Sequence, residues 1–125
     1  MQAKGTFTVK MEPLPPKPVE GIAGFALAKV FSGDLEGTSA GEMITAGDPT
    51  QGTAGYVALE RVTGTLAGRT GSFVFQHSST MNAGAFDQSI VVTPGSGTGG
   101  LVGLSGSFVI HQADHSYTFT YELAG

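Results

Sequence analysis

The chain has 125 residues, no cysteine, a net charge of −4 and only 13% charged residues. The missing cysteines exclude a disulfide framework and thiolate chemistry, and six Lys and Arg spread singly give no basic stripe, so nucleic acid is not an expected partner. One domain over residues 1–125 is expected, and 20 glycines point to sheet and turns more than to helices. No apolar run reaches membrane-spanning length, and Met1-Gln2-Ala3-Lys4-Gly5 leads directly into an alternating segment unlike a signal peptide. A cytoplasmic protein with no membrane partner is the expectation, and its low charge favours a homo-oligomer.

Thr6, Thr8 and Lys10 alternate with Phe7, Val9 and Met11, which predicts a first strand. Residues 13–18 are proline-rich, favour polyproline II and cannot continue a ladder, so residues 12–20 read as a rigid loop. Their Pro-x-x-Pro spacing also matches a recognition ligand, but a connector is the simpler reading. A second strand spans 22–31, with Phe25, Leu27 and Phe31 on one face. In the segment 34–46, Leu35, Gly37, Ser39, Gly41 and Met43 share a face opposite Asp34, Glu36, Thr38 and Glu42, so the acidic face is expected to be wet.

A hairpin then runs over residues 56–81. A tight turn centred on Gly68 and Arg69 would pair Ala67 with Thr70, Leu66 with Gly71, Val62 with Phe75, Glu60 with His77, Ala58 with Ser79 and Tyr56 with Met81. This register sets a carboxylate beside an imidazole on an otherwise apolar face, while Arg61 points to the solvated side.

Phe86, Gln88, Ile90 and Val92 form the next alternation, up to Pro94. Gly95, Gly97 and Gly100 fit the letter of a dinucleotide fingerprint, but the glycine-rich run after them cannot supply the required helix, so a flexible or tightly turning loop at a barrel mouth is expected. A last hairpin turning at Ala113-Asp114 pairs Gln112 with His115, Ile110 with Tyr117 and Phe108 with Phe119. About eight strands joined by short turns predict an all-β fold: an eight-stranded antiparallel up-and-down barrel, or alternatively a β-sandwich.

The runs Phe31-Ser32-Gly33-Asp34-Leu35-Glu36-Gly37, Leu59-Glu60-Arg61-Val62-Thr63-Gly64-Thr65-Leu66, Gly68-Arg69, Gly71-Ser72-Phe73-Val74, Gln76-His77 and Pro94-Gly95-Ser96-Gly97-Thr98-Gly99 resemble a bacterial family of unknown function, domain three-two-two-four. The resemblance spans nearly the whole chain. That family is similar in architecture to the allene oxide cyclase and dirigent barrels, which implies a barrel with a central cavity but carries over no reaction and no functional residue.

Glu60 and His77, held together in an apolar enclosure, are the candidate acid–base pair; the same contact also fits a polar plug or a ligand-orienting pair. Tyr56, Phe75, Tyr117 and Tyr121 are the candidate ligand-binding residues. His111, Asp114 and His115 lie close in sequence but on different faces, so no metal is assigned, and no cofactor is implied. Ser78, Ser79 and Thr80 beside His77 lack the glycine-flanked elbow of a hydrolase nucleophile. Three functions follow: binding of a small, largely apolar molecule in the cavity, a cofactor-independent isomerase or cyclase, or a structural, oligomer-forming barrel with a filled core.

Overall fold

The computed structural model describes residues 1–16, 19–111 and 113–123. Among these, eight strands form one closed antiparallel barrel in chain order: β1 (Gln2–Pro13), β2 (Ile22–Gly33), β3 (Leu35–Asp48), β4 (Thr53–Leu66), β5 (Arg69–Asn82), β6 (Ala85–Val92), β7 (Ser105–His111) and β8 (Ser116–Glu122). The all-β up-and-down barrel is thus the observed architecture, and the sandwich is not. Closure leaves no sheet edge running the length of the molecule, which suits a chain with few charges to guard one. No helix among the described residues is long and apolar enough to cross a membrane.

The β4–β5 register corrects the expected one. The turn residues are Ala67 and Gly68, at φ 52° and 76°, so Leu66 pairs with Arg69, Val62 with Phe73, Glu60 with Phe75, Ala58 with His77 and Tyr56 with Ser79. Positive φ at both central positions gives a two-residue turn whose twist matches that of the strands, which centres the reversal one residue earlier than Gly68-Arg69. Every partner moves by two positions, so every side chain keeps its face. The β7–β8 register is as expected, with Ile110 on Tyr117 and Phe108 on Phe119. The pairing expected for Gln112 lies outside the described residues.

The barrel has two unlike halves. Toward the β4–β5 turn, Leu35, Val62, Leu66, Phe73, Phe75 and Phe119 are fully buried. Their rings interlock, with Phe75 at 4.9 Å from Phe73, 4.7 Å from Phe108 and 5.3 Å from Phe119. The glycine-rich connection after β6 is the tightly turning form of the expected loop: it makes a short 3₁₀ turn at Gly99–Leu101 and drives Leu101 and Leu104 into this core. That end is plugged.

At the opposite end the wall is uneven. Beyond Phe7, whose N–H still reaches the His115 carbonyl, β1 pairs with β2 alone among the described residues, and β6 meets β7 through the single pair Val91–Ser107. The long strands β1 to β5 therefore overhang the short β7–β8 hairpin and leave inward-facing apolar groups such as Met11 half exposed. β1 itself runs through Pro13, which pairs with Phe25, so the ladder reaches into the expected loop; the remainder of that loop includes residues 17–18, outside the described set.

Candidate functional site

Glu60 sits on the inner face of β4, almost completely buried. The two-position shift makes His77 its diagonal neighbour on β5, and contact is kept: His77 Nε2 lies 3.3 Å from Glu60 Oε1. A carboxylate oxygen only accepts, so this nitrogen carries the proton. Lys29 Nζ donates to the same oxygen at 3.3 Å, and Ser39 Oγ donates to Oε2 at 3.3 Å. The Lys29 ammonium also stands 5.4 Å over the Phe7 ring. Acid and imidazole are joined by a cation and a hydroxyl from two further strands.

Close approach of β3 makes room for the cluster. A Cβ on Gly41, which pairs with Glu60, would fall 2.0 Å from the Leu59 carbonyl oxygen and 2.9 Å from Glu60 Cβ, so any side chain there would displace the carboxylate.

Burial pushes the Glu60 carboxyl up, but the His77 hydrogen bond and the Lys29 charge together outweigh it, and the group is held below its ordinary 4.5. Burial also dominates at Lys29, lowering its amine from the usual 10.5 against the opposing pull of Glu60. The result is an ionised carboxylate with three donors on it. Such a group is a strong anchor and a weak base.

A separate pocket of about 530 Å³ opens at the uneven end of the barrel. Met11, Phe25, Met43, Met81 and Phe86 supply its apolar walls, with Ala23, Ala46 and Ala54 between them. Thr45, Tyr56 and Ser79 supply hydroxyls, and their pairing, Thr45 to Tyr56 and Tyr56 to Ser79, sets them in one row across β3, β4 and β5. Burial raises the Tyr56 phenol above its ordinary 10.0, partly countered by the Ser79 hydroxyl that faces it, so it stays neutral.

Of the expected ligand-binding residues, Tyr56 lines this pocket, whereas Phe75, Tyr117 and Tyr121 belong to the packed core. The Tyr117 hydroxyl accepts from Leu35 N at 3.0 Å and lies 3.1 Å from the Leu35 carbonyl and 3.2 Å from that of Ser32, where it pins the β2–β3 connection. Tyr121 packs against Phe119 at 5.3 Å, and its backbone ties down Met1. Glu60 is two pairs deeper along β4 than Ala58 and four deeper than Tyr56, and neither Glu60 nor His77 lines this pocket. Lys29 and Ser39 carry half of the polar cluster, yet neither was among the expected site residues; Ser39 was placed only on the inward face of its strand, and Lys29 not at all. The signal for Lys29 was available, since it occupies the inward position between Leu27 and Phe31.

The remaining candidates lie outside both places. His111 is exposed and bonds Thr118 Oγ1 at 2.9 Å, His115 stacks on Phe7 at 5.5 Å, and Asp114 caps Ser116. Among the described residues no group of three or more such side chains could hold a metal ion. Arg61 is exposed on the outer face, beside Ser72.

A search of curated proteins returns no match. A crystal structure of a protein with unknown function from the DUF3224 family of Shewanella oneidensis MR-1 is 40% identical, superposes with a TM-score of 0.90, and is covered over 98% of its length by the whole of this chain. The family model described as a protein of unknown function (DUF3224) matches residues 3–121. With the barrel, the plugged end and the strand order in place, the chain belongs to the DUF3224 family.

Proposed function

We propose that this protein binds a small, largely apolar molecule in the open half of its barrel. The observation that carries the reading is the pocket of about 530 Å³, a volume ordinary for small-molecule sites, walled by methionine and phenylalanine with a few converging hydroxyls. A filled, purely structural barrel describes only the plugged half.

A cofactor-independent isomerase or cyclase is the second reading, favoured by the buried contact of Glu60 with His77. Proton transfer needs a free basic lone pair, however, and the Glu60 carboxylate already accepts from Lys29, Ser39 and His77. Binding is therefore preferred, with the cluster acting as a rigid polar girdle beneath the pocket.

The test is mass spectrometry of organic extracts from natively purified protein, beside an Ala54→Trp variant that fills the pocket. The expected result is a lipophilic molecule released by the wild type and missing from the variant at unchanged circular dichroism. Equal yields from the two proteins would refute pocket binding.

A further inference from the structure

We infer that the molecule held in the open-end pocket is uncharged and carries a hydroxyl or carbonyl group, read by the row Thr45, Tyr56 and Ser79; the inference rests on the binding reading above. Among the described residues the lining contains no Asp, Glu, Lys, Arg or His. An ion entering it would lose water and meet no counter-charge. Lys29, a buried cation of the inner face, gives no help, because its ammonium is committed to Glu60 at 3.3 Å below the pocket.

What the pocket does offer is neutral and directional. Tyr56 and Ser79 face one another across β4 and β5, and each hydroxyl carries one proton and two lone pairs. The protons can donate to a carbonyl or hydroxyl oxygen, and the lone pairs can accept from an alcohol. Met11, Met43 and Met81 come from three strands and supply soft, adaptable walls for the rest of the molecule. Polarity is thus confined to one stripe, and the ligand's polar group should be as localised.

The experiment uses the intact protein and the neutral dye Nile red, whose emission rises in an apolar site, with decanol and decanoate as competitors at neutral pH. The expected result is displacement by decanol at about one-tenth of the concentration needed for decanoate. In Met43→Lys, where a cation is placed in a half-buried mouth position, decanoate should become the better competitor. Decanoate matching decanol on the wild type would overturn the inference while leaving pocket binding intact. A Met43→Lys protein that still rejects decanoate would overturn the charge argument. Failure of Nile red to brighten with the wild type would overturn the pocket reading itself, and this inference with it.

Discussion

Glu60 shows how one buried charge is tolerated inside an apolar barrel. Desolvation of a carboxylate is expensive, and here it is offset by donors from β2, β3 and β5. Glu60→Gln keeps the shape but strands the Lys29 ammonium, so urea unfolding should show a loss of about 3 kcal/mol. Replacing both ends of the pair by Met and Leu should cost less than that single change, because no orphan charge is left. The acid limb of stability follows from the same group. Its carboxyl lies below 4.5 in the fold, so just under that pH the unfolded chain binds more protons than the folded one, and stability falls with falling pH. Glu60's contribution is therefore present above 4.5 and disappears as pH drops through the folded value; the unfolding midpoint of Glu60→Gln should be flatter than that of the wild type across that window.

Turns set the registers of the elements, and two of them repeat one device. Ala67-Gly68 joins β4 to β5 and Ala83-Gly84 joins β5 to β6, each with both residues at positive φ. Alanine resists that region, so Ala67→Asn at this exposed position should raise stability by about 1 kcal/mol, seen as a higher melting temperature with ligand binding unchanged. Asn-Gly would have announced the turn in the sequence. Ala-Gly does not, and a reader drawn to Gly68 centres the reversal one residue late. The face of each residue was nevertheless legible, since a two-position slip preserves alternation, and Glu60 still finds His77. Ser39 was legible as inward-facing and Lys29 by its place in the alternation, but their convergence on Glu60 depends on barrel closure, which no single strand encodes.

Strand count and class follow from alternation, whereas the division of the whole molecule into a plugged and an open end does not. The plug comes from Leu101 and Leu104 in a glycine-rich connection, and the opening from β1 to β5 outreaching the β7–β8 hairpin. Both are matters of length and loop packing, invisible to periodicity. If the plugged half carries the stability and the open half the ligand, truncation should separate the two properties. Phe75 is fully buried among three other phenylalanine rings and the His77 imidazole, and Phe75→Ala should cost about 3–5 kcal/mol, read as a lower denaturant midpoint at an unchanged slope. Met43 is only partly covered at the mouth, so Met43→Ala should cost about 1 kcal/mol or less. Ligand affinity should move the other way, falling severalfold in Met43→Ala while the Phe75→Ala protein, assayed below its unfolding transition, keeps its Nile red binding. Equal losses of stability at the two sites would mean that the open end is packed as tightly as the plugged one, with no space in it for a guest.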